Sequence, residues 1–219
     1  MLVALLIFLL TSCGNEGKDD VQTDPVTDAR VNETSAEEID GMSIYQLTSS
    51  WKTQTGDQIE FKDLSGEVLV VVMIYTSCQS ACPRLVADMK GIESKISLSA
   101  PEGVRYVLVS IDPAHDTPER LRQFSIENEM TDPKWLFLQG TEESVRDFAN
   151  VLAVRYSQIS PIDFSHSNII SVFDQHGVMR HQQEGLQVDY QETVKTALAL
   201  ANAGPLHLNL HLNLPLNLY

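Results

Sequence analysis

The sequence predicts an α/β fold, with a mostly parallel central sheet and antiparallel hairpins at its edges. Residues 68–75, "VLVVVMIY", form a continuous β-branched run. That is the composition of a strand buried on both faces in the middle of a parallel sheet. Residues 104–111, "VRYVLVSI", form a second such run. Segments with helical spacing alternate with these strands, the order that gives right-handed β–α–β crossovers.

Residues 43–48 and 58–62 are expected as short strands, with "TGD" (55–57) turning between them. "LSGE" turns the chain into the 68–75 strand. Beyond it, Leu85, Met89, Ile92 and Ile96 share one helical face. After the 104–111 strand, Thr117 and Pro118 open a helix as cap and first residue. "WLFLQG" is a third strand. Thr141 caps another helix, with Glu142 and Glu143 favourable near its positive end. Its inner face is Val145, Phe148, Ala149, Leu152 and Ala153. The stretch ending at His166 is expected as a long loop. Residues 168–174, "NIISVFD", are a strand, "QHG" turns the chain, and "VMRHQQEG" returns as an antiparallel edge. Tyr190, Val194, Ala197, Leu198 and Ala201 line a last helix. The sequence has no internal repeat, G-x-G-x-x-G or Walker A loop, so nucleotide binding has no support.

The chain has 219 residues, enough for one well-buried domain plus appendages. Its 15 basic and 30 acidic side chains give a net charge of −15, which argues against nucleic acid as a partner. Residues 14–40 hold nine acids against Lys18 and Arg30 and almost no large apolar residue. Such a segment cannot offset its ordering entropy by burial and is expected to be a disordered, self-repelling tether. Ahead of it, residues 1–13 are expected to be a signal peptide: a ten-residue apolar block, too short to span a bilayer comfortably and of the length of a signal-peptide core, followed by small polar residues and Cys13. "LTSC" (10–13) resembles the lipobox of bacterial lipoproteins, although no Lys or Arg precedes the block. The resemblance implies that Cys13 is lipidated and anchors the chain to a membrane, on the extracytoplasmic (periplasmic) side, where thiols oxidise readily. The folded domain is expected over 41–203. Residues 204–219, with His207 and His211, are a low-complexity tail.

Chemistry concentrates in "YTSCQSACPR" (75–84). Cys78 and Cys82 stand where a buried strand gives way to a helix, the crevice where open α/β sheets place their sites. Backbone N–H groups and the helix dipole there are expected to lower a thiol pKa. Spacing of four puts both sulfurs on one face about one turn apart, which allows a disulfide, a reactive dithiol, or two arms of a metal site. A staple across so short a loop removes little entropy. Structural zinc takes four ligands, and the folded region offers no second cysteine pair. Two thiolates with one imidazole suit copper better. The candidate histidines are His115, His166, His176 and His181. His176 and His181 fall in the edge hairpin and are expected to be solvated. His115 and His166 lie on loops that could approach the crevice.

Three motifs in order resemble the Sco/SenC family, copper-binding thioredoxin-like proteins that help assemble cytochrome c oxidase. "YTSCQSACP" is similar to the family's C-x-x-x-C-P, "VSIDPAHDTPERL" to its V-S-x-D-P-x-x-D-T-P-x-x-L, and "FSHSNIISVFDQHG" to its D-H-S segment, apolar strand and D-x-x-G turn. The likeness spans about residues 58–198. It implies a thioredoxin-like three-layer sandwich, with Cys78, Cys82 and His166 as ligands to copper, Cu(I) or Cu(II). Asp112 and Asp116 match the second motif, which implies a place for both around the ligands, with Asp116 shaping the loop facing the metal. Gln79 stands where Pro is common, Ala81 precedes Cys82 without the usual Asp, and Ser165 replaces the acid before the histidine. These departures bear on the client more than on the site. The expected function is copper delivery to a membrane-linked copper enzyme such as cytochrome c oxidase. The alternative is a thiol–disulfide oxidoreductase using Cys78 and Cys82 as its catalytic pair on a client's cysteine ligands. Peroxide reduction is disfavoured: in the pattern resembling P-x-x-x-T-x-x-C, Val72 replaces the Pro and Thr76 lies too close to Cys78.

Overall fold

The computed structural model describes residues 43–99, 102–161 and 163–203. The expected leader with Cys13, the acidic tether and the tail lie outside these residues. Nine strands are found among them, seven in one sheet: β1 (Trp51–Thr53), β2 (Gln58–Ile59), β3 (Val68–Ile74), β4 (Val104–Ser110), β5 (Trp135–Gln139), β8 (Ile169–Phe173) and β9 (Met179–Glu184). β6 (Tyr156–Ser160) and β7 (Asp163–His166) make a separate two-stranded sheet. The helices are α1 (Cys82–Ser97), α2 (Pro118–Glu127), α3 (Glu142–Val151) and α4 (Gln191–Asn202).

The large sheet runs in the order β2-β1-β5-β4-β3-β8-β9. Its centre, β5-β4-β3, is parallel. Antiparallel strands flank it on both sides, β8 and β9 beyond β3, and β1 and β2 beyond β5. Every residue of β3 is buried, as its unbroken β-branched composition requires. α1 and α4 pack on each other, α4 covers β3, β8 and β9, and α2 packs on β5. At the β1 end, Phe61 and Phe148 stack with centroids 4.5 Å apart, and Trp51 meets both edge-on. The cap expectations hold: Thr117 Oγ1 accepts the Arg120 N–H with Pro118 in the first turn, and Thr141 Oγ1 accepts the Ser144 N–H.

Four local expectations are corrected. Residues 43–48 form a 3-10 turn (Ile44–Gln46), because the Ser43 hydroxyl accepts the Tyr45 N–H and bonds across to the His176 carbonyl. The strand instead comes at Trp51–Thr53, where a buried–exposed–buried alternation faces the core. Of residues 58–62 only Gln58 and Ile59 pair, and Phe61–Leu64 is another 3-10 turn. α3 ends at Val151, so Ala153 is not on its inner face: it is exposed at φ 53° while the Val154 N–H returns to the Ala149 carbonyl. The loop expected before His166 contains the β6–β7 hairpin, whose residues are mostly exposed; β6 shows no alternation, and that of β7 runs over four residues only.

Candidate metal centre

β3 carries the chain to the carboxyl edge of the parallel strands, and the Cys78 N–H closes a turn onto the Tyr75 carbonyl. α1 starts at Cys82, with Pro83 inside its first turn. The two cysteines therefore do not share a helical face: Cys78 sits in the turn and Cys82 in the first helical turn. The Cys82 N–H, one of the helix's free donors, points at Cys78 Sγ at 3.3 Å.

The third group arrives by topology. β8 is antiparallel to β3, with Val72 opposite Ile170. Residues just upstream of β8 therefore lie at the end where β3 finishes. His166, at the end of β7, projects there. Its Nε2 is 3.9 Å from Cys82 Sγ. One ligand atom from each of Cys78, Cys82 and His166 falls within 4.8 Å of the others. Among the described residues no other Cys, His, Asp or Glu joins this cluster, and no other such cluster of three forms. His166 Nδ1 faces the Ser167 carbonyl at 3.0 Å. A carbonyl only accepts, so Nδ1 carries the proton and the Nε2 lone pair faces the sulfurs.

Burial separates the two thiols. Burial alone would raise the Cys78 pKa, but N–H donors from Cys82 and Ser80 and contacts with Tyr75 and Cys82 outweigh it, so the net shift is down. Cys82, fully buried, is pushed well up. The expected helix-terminus effect thus acts on the turn cysteine and is overridden by desolvation on the helical one. Burial also lowers the His166 pKa, against the Ser167 carbonyl, and favours the neutral ring.

The decisive comparison is with family models. The SCO1/SenC model matches residues 36–199. The chain belongs to the SCO1/SenC family. The SCO1 protein homolog of Bacillus subtilis (strain 168) is 30% identical over 101 residues, 46% of this chain and 52% of that one. The matched region thus spans about half the length of this relative. A SCO1/SenC family lipoprotein from Bacillus anthracis str. Ames superposes with a TM-score of 0.64 at 25% identity, over 72% of this chain and 96% of that one. Arabidopsis thaliana ScoI, solved with copper bound, superposes with a TM-score of 0.62 at 19% identity, over 71% and 96%. The fold is the thioredoxin-like one of these SCO1/SenC structures.

The other predicted residues of this SCO1/SenC chain sit as follows. His115 turns away from the cysteines: its Nδ1 lies 2.9 Å from both carboxylate oxygens of Asp112, which raises its pKa. Asp112 is therefore occupied with His115. Asp116 is buried and accepts from the Thr76 N–H, the Thr76 hydroxyl and the Ser110 hydroxyl. His176 is exposed, but His181 is half-buried, with Nε2 3.0 Å from Thr193 Oγ1. Cys13 lies outside the described residues.

Sequence reasoning missed Tyr75, Asp163 and Arg120. The Tyr75 hydroxyl donates to the Asp163 carboxylate and accepts the Phe164 N–H at 3.3 Å. Its ring meets Phe164 and His166 edge-on. Tyr75 thus ties the hairpin carrying His166 to the strand that leads to Cys78. Arg120 donates through Nε to the Thr76 hydroxyl at 3.1 Å, the same hydroxyl that donates to Asp116. A tyrosine closing "VLVVVMIY" on the sheet's carboxyl edge was the available signal for the first. Asp163 and Arg120 gave none.

Proposed function

We propose that this protein holds copper through Cys78, Cys82 and His166 and delivers it to a membrane-linked copper enzyme. The family resemblance names cytochrome c oxidase as the client. The observation that carries the reading is the convergence of two sulfurs and one imidazole nitrogen within 4.8 Å. The donor set fits the cargo. Soft thiolates at low coordination number favour Cu(I), whereas a closed zinc site takes four ligands and the described residues supply three. Copper bound in Arabidopsis thaliana ScoI supports the same reading.

The chain's own groups have distinct tasks. His166 offers Nε2 while Ser167 fixes its tautomer. Cys82 is the buried ligand, and Cys78, 8% exposed, is the one an incoming client donor reaches first. Delivery by ligand exchange therefore starts at Cys78. Anaerobic titration of the reduced chain against a Cu(I) chelator should show uptake of about one equivalent, because the described residues hold one such cluster. No uptake by the fully reduced protein would sink the reading.

A second reading, thiol–disulfide exchange, is favoured by the asymmetry of the two thiols. The Cys78 thiolate would attack a client disulfide, forming a mixed disulfide and releasing one client thiolate. Cys82, deprotonated, would then attack Cys78 Sγ and release the second client thiolate, leaving Cys78–Cys82 oxidised and the client reduced. Cys82→Ser should trap the mixed disulfide with a client-derived disulfide peptide. If Cys78→Ser traps it equally well, the assigned order is wrong.

The domain reading places the acidic stretch 14–40 as a tether from a lipid on Cys13. Among the described residues no helix is long and apolar enough to cross a membrane. The Bacillus anthracis relative is a lipoprotein, which supports an anchor on the extracytoplasmic side. Cells fed labelled palmitate should label the wild type and not Cys13→Ser; equal labelling would remove the anchor from Cys13.

A further inference from the structure

A cavity of about 610 Å³ opens between the loop after β4, one face of α3, and β6. Its size is that of a ligand site. Its floor is apolar, with Ile111, Val145 and Ala149 buried. Arg146 on α3 and Arg155 at the entrance to β6 line it. Neither side chain has an ion-pair or hydrogen-bond partner among the described residues, whereas Arg105, Arg120 and Arg180 each hold a carboxylate. The Asp112 carboxylate on the same wall is already paired with His115. The exposed Glu142 also lines the cavity, so in a chain of net charge −15 the lining is balanced in charge rather than acidic, with two arginines that no carboxylate among the described residues holds.

The strand beside the cavity is the second observation. Among the described residues β6 has β7 as its one ladder neighbour. Tyr156, Ser157 and Gln158, three consecutive residues of β6, line the cavity. The side of β6 away from β7 carries no ladder among the described residues, so the edge beside this lining is open. An open edge is a template for an added strand.

We propose that this cavity docks an extended acidic segment of a partner protein, which adds a strand to the outer edge of β6 along residues 156–158 and sets its carboxylates against Arg146 and Arg155. Alternate apolar side chains of that segment cover the Ile111–Val145–Ala149 floor. The chain's own residues 14–40 match in charge but contain no Leu, Met, Phe, Tyr or Trp to fill it. Tyr156 pairs opposite His166 in the hairpin register, so the docked strand lies on the same hairpin as the candidate ligand. The docking site uses none of the cluster's residues, and its test needs no metal.

Fluorescence anisotropy on the full, metal-free chain, with a short labelled peptide of alternating glutamate and leucine, tests it. Saturable binding is expected, weakened about tenfold or more in Arg146→Glu/Arg155→Glu and unchanged in His166→Ala. Both arginines are exposed, so the double variant should keep the wild-type circular dichroism. Methylating alternate backbone nitrogens of the peptide should abolish binding even to the wild type. Three results would each overturn the proposal: no saturable binding, binding indifferent to both the arginine changes and the methylation, or displacement by inorganic phosphate at the peptide's own concentration. A synthetic peptide of residues 14–40 competing as well as the probe would assign the site to this chain's own segment and overturn the partner claim. Any of these results would leave the copper reading standing.

Discussion

His166→Ala is expected to lower Cu(I) affinity by about 100-fold or more while leaving the fold intact. The size follows from what the residue does. Removing an outer partner of a metal ligand costs about 10–100-fold, so removing a ligand itself belongs at or beyond the upper end. Two soft thiolate donors remain in the proposed site, so affinity should fall rather than vanish. The imidazole is half-buried at the end of a two-stranded hairpin outside the main sheet, and its loss opens little of the core. Competition with a Cu(I) chelator, beside thermal unfolding of both metal-free proteins, reads the two effects separately. An affinity within about threefold of wild type would mean that His166 is not a ligand.

The same variant carries a pH expectation. Burial lowers the His166 pKa in the folded chain, below the unfolded value of about 6.5. A depressed folded pKa contributes stability that is present above the unfolded pKa and lost as pH falls through the folded one. Above about pH 6.5 the ring is neutral, and metal displaces no proton from it. Cys82, whose pKa is raised, must give one up. Apparent Cu(I) affinity should therefore fall with pH along the same slope in wild type and His166→Ala above about pH 6.5. A steeper slope in the wild type would assign a proton to His166 that its surroundings deny it.

How far the sequence told this in advance depends on where each signal was local. The central strands were legible because burial on both faces leaves an unbroken run of Val, Leu and Ile. The helix caps were legible because Thr117 and Thr141 do their work within three residues of themselves. The start of α1 was legible but passed over: Pro83 belongs in a first turn, which puts Cys78 outside the helix. The β6–β7 hairpin was hidden because its residues bury little: β6 shows no alternation, and the four residues of β7 that do alternate are too few to stand out. Residue types alone left the choice between His115 and His166 open. Their pairing with the cysteines is decided by β8 running antiparallel to β3, a long-range relation that no local window contains. The tie between Tyr75 and Asp163 spans 88 positions, and the sequence marks neither as a partner of the other.

Asp116→Ala is expected to destabilise the metal-free protein by about 3 kcal/mol, lowering its midpoint by about 6–12 °C. Asp116 is 1% exposed. Its Oδ2 accepts the Thr76 N–H at 3.1 Å and the Ser110 hydroxyl at 2.6 Å, and its Oδ1 accepts the Thr76 hydroxyl at 2.5 Å. Burial raises its pKa against these donors, so the carboxylate is tolerated there only because they surround it. Truncation leaves three donors facing a void, each costing about 1–3 kcal/mol if unmet. The hydroxyls can rotate toward other acceptors, which keeps the total below the sum. The backbone N–H cannot. Asp116→Asn preserves the volume and one acceptor oxygen and turns an amide toward a hydroxyl that can reverse its role, so its cost should be about half as large. The effect reaches the site because Thr76 is held by both Asp116 and Arg120, two residues before Cys78. A loosened Thr76 lets the cysteine turn drift, and Cu(I) affinity should fall about tenfold in Asp116→Ala. Denaturant unfolding of both variants checks the first effect and chelator competition the second. If Asp116→Ala unfolds within about 0.5 kcal/mol of wild type, the buried carboxylate is not what holds the two loops together.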